Sequence, residues 1–304
     1  MIEPLVTAIV STYAAERFIR DCMDDLVAQT IFAQLEILVI DSGSPENESA
    51  IVDEYVAQYP EHVRLIRTER EPLYVAWNRA IGLARGKYLT NANTDDRHRS
   101  DAFECLANVL DTKPNVGLVF ADQYISESEN ESFEECKGRN AQLLYWTDFT
   151  NSGMILNGIS GSQPMWRSHL HEDLGRFDTS YTIAADYDMW LRIAQHHDLI
   201  KLDDICGVML MSPTTISGSD NRWLMNKENL EVQRRYICQS PWSEIKGIRQ
   251  ELASGIFARG YMHIEQDNDA VSAAPFIRES IKLDPLNVSY LKTYLYRCVL
   301  RRFM

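Results

Sequence analysis

The chain has 304 residues, 45% of them apolar and 10% aromatic, with 30 Lys and Arg against 44 Asp and Glu for a formal net charge of −14. That length fits one large α/β domain plus an appendage or two ordinary domains, and the apolar fraction excludes a disordered chain. An acidic surface repels nucleic acid and anionic membrane in bulk, so a phosphate-bearing ligand has to be held by local dipoles, a metal ion or a few placed cations.

The opening MIEPLVTAIVSTY has no basic leader region, and its apolar run is too short to span a bilayer. It is expected to be the buried first strand of a cytoplasmic protein. Helix follows in AERFIRDCMDDLVAQT, where Phe18, Ile19, Cys22, Met23, Leu26 and Val27 recur at helical spacing. LEILVIDSGS is a second buried strand ending in turn residues. SAIVDEYVAQY is a helix with its apolar face at Ile51, Val52, Tyr55, Val56 and Tyr59, and VRLIRT is a third strand. PLYVAWNRAIGLARG is a helix started by Pro72 and stopped by Gly86. KYLTNAN, a helix from about Ser100 to Leu110, and VGLVFADQY complete this half. The alternation predicts a mostly parallel sheet with helices on both faces.

Ser126 to Asn140 is polar and acidic and predicts an exposed loop or hairpin; NSGMILNGISGSQPMW predicts a set of turns. GRFDTSYTIAADYDMWLRIAQHHD carries a strongly patterned helix with Asp186 near its start, and DDICGVMLMS is a last strand. From Ser217 onward only helical patterns remain. The final pair, with Pro285 between them, resembles half of a tetratricopeptide-type repeat without a second copy. Lys292, Arg297, Arg301 and Arg302 lie beside Leu, Tyr and Val there, so peripheral membrane or protein contact is one expectation and a packed terminal helix the other. The six cysteines show no C-x-x-C pair or zinc-like spacing and are expected to be reduced thiols.

In a parallel sheet, ligands sit at the carboxyl ends of the strands. The polar residues that end the apolar runs, Ser11-Thr12-Tyr13, Asp41-Ser42-Gly43-Ser44 and Asn93-Thr94-Asp95-Asp96, therefore gather on one rim. An aspartate pair after a strand offers hard oxygen ligands suited to Mg²⁺ or Mn²⁺, or simply caps the next helix; the spacing leaves both open. Neither a G-x-G-x-x-G nor a G-x-x-x-x-G-K-[ST] sequence is present, so a dinucleotide fingerprint and a P-loop are excluded. Asp186 in a first helical turn is favoured by the dipole and is also a candidate general base. His169, His171, His196 and His197 lack a third ligand at sensible spacing and are expected at the surface.

These motifs, in this order, resemble the inverting, nucleotide-sugar-dependent glycosyltransferases of family 2, from about Pro4 to Ser219. GRFDTSYTIAADYDMWLRI carries the most specific match. The resemblance implies a GT-A fold, an α/β Rossmann-like mostly parallel sheet flanked by helices, over residues 1–219, with 1–122 nucleotide-binding, 123–219 acceptor-binding and 220–304 a helical extension. It implies nucleotide contacts from Thr12, Tyr13, Glu16, Asp41, Asn78, Asn93 and Asp95, and a Mg²⁺ or Mn²⁺ on Asp95 and Asp96. Gly161, Ser162, Gln163 and Trp166 would meet the acceptor, and Asp186 would be the base. Donor and acceptor would be a nucleotide sugar and a glycan, glycolipid or protein hydroxyl, in the cytoplasm or peripherally at the inner face of a membrane. Asn93 departs from the pattern where an aspartate is usual, Ala185 where a glutamate often stands, Trp77 where an arginine is usual, and Ser212 where many members carry a histidine. A non-catalytic binding or scaffold protein is the alternative. A sugar-phosphate nucleotidyltransferase would need a glycine-rich loop after the first strand, and STYAAERF has none.

Overall fold

A computed structural model describes residues 3–145, 148–158, 163–213, 218 and 221–299. The chain forms two compact units, Met1–Phe149 with Ile159–Thr215, and Thr150–Gly158 with Ile216–Met304.

The first unit is built on one mixed sheet. β1 (Val6–Thr12), β2 (Leu35–Asp41), β3 (Val63–Arg67) and β4 (Tyr88–Asn91) run parallel in the order β3-β2-β1-β4. The intervening α1 (Glu16–Val27), α2 (Glu48–Gln58) and α3 (Leu73–Leu83) return the chain each time. Every residue of β2 is buried, which is why its sequence is a continuous apolar run. α1 buries the stripe Phe18, Ile19, Cys22, Met23 and Leu26, each worth roughly 1.5–3 kcal/mol when fully covered.

After the two-residue β5 (Arg97–His98) and α4 (Ala102–Thr112), the sheet changes sense. β8 (Met165–Arg167) lies antiparallel between β4 and β6 (Val116–Ser126), and β6 pairs in parallel with the long β9 (Asp198–Leu210), which carries β5 antiparallel on its far side. The short β7 (Leu143–Leu144) pairs with β6. Arg167 holds this junction from a buried position. Its guanidinium donates to the carbonyls of Leu110, Lys113 and Val116, closing the C-terminus of α4.

Two stretches differ from their sequence reading. Within 126–140, the polar residues conceal α5 (Phe133–Gly138), started by a capping box between Ser132 and Glu135 and anchored by buried Phe133 and Cys136. The expected turns at 151–157 instead form α6 (Asn151–Asn157), capped by the Thr150 hydroxyl. This helix belongs to the second unit, although residues 1–219 were expected to form one domain. Gln233 Nε2 donates to the carbonyls of Ile155 and Leu156, and the fully buried Trp242 donates to that of Asn151. Local composition spelled turns, and tertiary partners for its carbonyls made a helix.

The sheet unit also carries α7 (Leu170–Asp173) and α8 (Ala185–Ala194), and the rest of the second unit comprises α9 (Arg222–Tyr236), α10 (Ile248–Glu265), α11 (Ala270–Leu283) and α12 (Val288–Thr293). Gly260 lets α10 and α11 approach closely: a Cβ there would lie 2.8 Å from that of Phe276. Asp269 caps α11 through the N–H groups of Val271 and Ser272. Among the described residues no helix is long and apolar enough to cross a membrane, and all six cysteines are free thiols.

At the amino ends of β1 and β2, the buried Glu36 gathers hydrogen bonds from Thr7 Oγ1 (2.7 Å), Arg64 Nη1 (2.7 Å), and both the N–H (2.9 Å) and Nε (2.8 Å) of Arg85. Burial pushes its pKa up, but the bonds from Thr7, Arg64 and Arg85 outweigh burial and hold it below the usual range. This stabilisation is complete above the ordinary glutamate pKa and is lost as pH falls through the depressed one. Urea unfolding of Glu36→Ala at pH 7 is expected to show a loss of about 3 kcal/mol, since two arginines lose their buried partner, and a smaller loss at strongly acid pH.

Candidate active site

β1 and β2 end in register, with Thr12 opposite Asp41, while β4 ends with Asn91 opposite Ile9, so the residues after Asn91 run out beside them. Ala92 N donates to the Ile9 carbonyl at 2.8 Å and continues that pairing. Thr12, Tyr13, Asp41 and the Asn93–Asp96 loop therefore leave one edge of the sheet, as their order predicts.

Carboxylates organise this edge. Glu48, fully buried in the first turn of α2, accepts from Ala15 N (2.7 Å), Ser44 Oγ (2.8 Å) and Thr12 Oγ1 (3.4 Å) through Oε1. Asp41 accepts from Ser44 N at 2.9 Å and from the Ser49 hydroxyl. Glu16 and Glu46 are exchanged between the two helix N-termini: Glu16 Oε2 accepts from Asn47 N (3.2 Å), and Glu46 Oε2 from Glu16 N (3.1 Å). Glu16, expected at the nucleotide, thus caps α2. Gly43 makes the turn possible with φ of +66°, and a Cβ there would press on the Arg70 and Thr68 backbone at 3.0–3.1 Å. Tyr13 stands 42% exposed, with the Arg70 guanidinium 3.6 Å from its ring centroid. Sequence reading missed Glu48, which looked like an ordinary first-turn acid, and Arg70, which is remote from Tyr13 in the chain.

The Asn93–Asp96 loop is held from several sides. Asn93 Nδ2 donates to Asp96 Oδ2 at 3.1 Å, and Leu210 N donates to Asp96 Oδ1 at 3.3 Å. Asp96 is only 3% exposed, and each of its oxygens accepts one of these loop hydrogen bonds. Asn93 is neutral for a reason, because an aspartate could not donate to Asp96. Arg97 makes a bidentate pair with Asp25 at 2.7 and 2.8 Å, and His98 N donates to the same carboxylate, which ties the loop to α1. Asp95 is different. Its half-buried carboxylate makes no hydrogen bond or ion pair to another side chain among the described residues; burial pushes its pKa up, and its own backbone N–H and the charge of Arg17 pull it back only partly. A hard, partly desolvated oxygen donor of this kind suits a divalent cation. Among the described residues, no group of three or more His, Cys, Asp or Glu could hold a metal alone.

Asp186 lies half-buried in the first turn of α8, accepting from Tyr187 N at 2.7 Å. The loop before it is fastened to α3. Asn78 Nδ2 donates to the Phe177 carbonyl (2.8 Å) and Asn78 Oδ1 accepts from Phe177 N (3.0 Å), while Tyr74 Oη donates to the Ile183 carbonyl (2.5 Å). Phe177 packs against Tyr74, Trp77, Trp166 and Trp190. One turn along α3, Trp77 Nε1 donates to Ser11 Oγ at the end of β1 (3.3 Å). Arg192 completes the clamp, pairing with buried Asp188 and donating to the carbonyls of Leu174 and Arg176.

Asn78 spends one donor and one acceptor of its amide on Phe177. Trp166 is fully buried, with Nε1 donating to His171 Nε2 at 2.9 Å. His171, half-buried with Nδ1 2.9 Å from the Gly175 carbonyl, is a structural partner and not a surface residue; burial depresses its pKa to about 4. Gln163 Nε2 donates to the carbonyls of Arg97 (3.2 Å) and Val208 (3.3 Å), bracing β5 on β9 beside Gly207, where any Cβ would collide with it. Gly161 and Ser162 lie outside the described residues.

The family model for glycosyl transferase family 2 matches residues 7–156. The chain is 37% identical over 245 residues to the uncharacterized glycosyltransferase YibD of Escherichia coli K12, covering 76% of this chain and 68% of that one. The chain belongs to glycosyltransferase family 2. It is also 26% identical over 203 residues to a chondroitin synthase of Escherichia coli, covering 67% of this chain but only 28% of that larger protein. Among solved structures, S. aureus TarS 1-349 in complex with UDP-GlcNAc superposes with a TM-score of 0.70 at 16% identity, covering 96% of this chain and 86% of that one. The mannosyltransferase PcManGT of Pyrobaculum calidifontis, in complex with GDP-Man and Mn²⁺, gives 0.62 at 19% identity over 98% and 82%. Both share the fold.

Asn93→Asp is expected to lower the melting temperature at pH 7, because two carboxylates then meet where an amide now donates, and to approach wild type near pH 4, where they share a proton. Replacing Asn78 by Leu is expected to cost about 2 kcal/mol in denaturant unfolding through two lost hydrogen bonds, without weakening nucleotide binding measured by calorimetry.

Proposed function

We propose that the chain transfers a sugar from a nucleoside-diphosphate sugar to an acceptor hydroxyl with inversion at the anomeric carbon. The observation that carries this reading is the shared edge: Thr12, Tyr13, Asp41 and Asp95 leave the sheet together, and α3 touches both Ser11 on that edge and the loop leading to Asp186. The family membership and the nucleotide-sugar complexes of TarS and PcManGT support the donor class.

In this reading the base stacks on the exposed ring of Tyr13, beside Arg70, while Thr12 and Asp41, fixed by Glu48 and Ser44, frame the base and ribose. Asp95 would hold a Mg²⁺ or Mn²⁺, and an ion there would supply positive charge to the departing diphosphate. Asp186 accepts the proton of the acceptor hydroxyl as its oxygen forms the new bond to the anomeric carbon. Holding both substrates against one rim supplies much of the remaining acceleration. The acceptor is a glycan, glycolipid or protein, and the similarity to chondroitin synthases favours a growing polysaccharide.

A panel of nucleotide sugars with Mn²⁺ and mixed glycan acceptors is expected to give acceptor-dependent release of nucleoside diphosphate. Asp186→Asn is expected to lower kcat by about a thousandfold while leaving the Kd of the nucleoside diphosphate nearly unchanged; full transfer by that variant would overturn the base assignment. In calorimetry with UDP and GDP, Asp95→Ala is expected to abolish the enhancement of binding by Mn²⁺.

A further inference from the structure

The last described helix is apolar on two opposite sides. In α12 and the π-helical turn that continues it, Tyr294–Val299, the side chains of Tyr290, Tyr294 and Cys298 turn inward. Tyr294 and Cys298 join Ile264, Ala273, Ala274 and Ile277 in one cluster, and Tyr290 stacks on Phe257 with centroids 4.5 Å apart. On the other side Val288, Leu291, Leu295 and Tyr296 are 59%, 46%, 44% and 66% exposed, and Leu286 in the preceding turn is 89% exposed. A helix hydrophobic all round is ordinarily covered all round, and a contiguous apolar patch left in water marks an interaction surface.

Charge identifies the partner. Described residues 285–299 carry two cations, Lys292 and Arg297, and no carboxylate, in a chain whose net charge is −14. Lys292 is exposed on the apolar side and makes no ion pair among the described residues, whereas Arg297 pairs with Glu265. A second copy docked face to face would bring another unpaired Lys292 to the same contact, and like charges oppose that arrangement. An anionic surface takes the cations, and its hydrocarbon takes the leucines. Tyrosines along the helix suit the boundary, with an apolar ring and a wet hydroxyl.

We propose that this face docks on an anionic lipid bilayer, with α12 and its continuation lying in the plane of the interface. Twelve residues are far too few to span the hydrocarbon, so the helix enters only to the depth of its outer side chains. The acidic remainder of the chain is repelled by the same surface, which leaves the basic, apolar face as the one that approaches it. This binding is independent of the proposed transfer reaction.

The test is flotation of the full chain with vesicles of phosphatidylglycerol and phosphatidylcholine, compared with phosphatidylcholine alone. Binding is expected only with the anionic vesicles and to weaken by about tenfold when salt is raised from about 0.05 to about 0.5 M. Lys292→Gln is expected to weaken it by about fivefold, and Leu291→Glu combined with Tyr296→Glu to abolish it while the circular dichroism and melting temperature stay at wild type, because both side chains are exposed. Absence of flotation with anionic vesicles, or undiminished flotation of the double variant, overturns the proposal. So does sedimentation showing wild-type dimers that the double variant converts to monomers without flotation of either, which would assign the face to a second copy.

Discussion

The candidate site depends on one buried carboxylate. Glu48 sits in the first turn of α2, where the helix dipole favours an anion, and reaches back to the N–H of Ala15 and the hydroxyls of Ser44 and Thr12. It thereby joins the end of β1, the start of α1 and the turn after β2. Glu16 and Glu46 repeat the device at the surface, each serving the other helix. Parallel strands put helix N-termini on the same edge as strand C-termini, and acidic side chains fill the unsatisfied N–H groups there. The fixed groups at this edge are thus rigid turns and carboxylates, with the Arg70 guanidinium over Tyr13 beside them.

α3 links the two halves of the sheet unit. Its Trp77 touches the end of β1, and its Tyr74 and Asn78 grip the backbone at Ile183 and Phe177, ahead of Asp186. The phenylalanine of the GRFD sequence is the centre of an aromatic cluster that includes Trp166 and Trp190, and the arginine of DMWLR draws Leu174 and Arg176 onto α8. The segment that made the sequence resemblance most specific is therefore mostly architecture around the first turn of α8.

Much of this was legible beforehand. The buried strands announced themselves as apolar runs, α1 by the spacing of Phe18, Ile19, Cys22, Met23 and Leu26, and the shared rim by the polar residues that end three strands. Asp186 in a first helical turn was legible as well. What was not legible involves side chains whose partners are distant in sequence. Asn78 and Gln163 bind backbone carbonyls, Trp166 closes over the core, and Asp96 braces the loop with Asn93; a polar or aromatic residue in a motif looks the same whether it faces a ligand or another part of the chain.

The sequence by itself determined the strand and helix order from β1 to β4, because hydrophobic period and helix stop signals are local, and with that order the edge on which the polar strand ends gather. Only the tertiary structure decided that 151–157 is a helix of the second unit, since Gln233 and Trp242 supply the bonds its own residues do not announce. It also decided which of two adjacent aspartates is open. Asp95 and Asp96 are chemically identical, and the difference between a committed carboxylate and a half-buried one without a side-chain partner lies in the amide of Asn93 and the backbone N–H of Leu210.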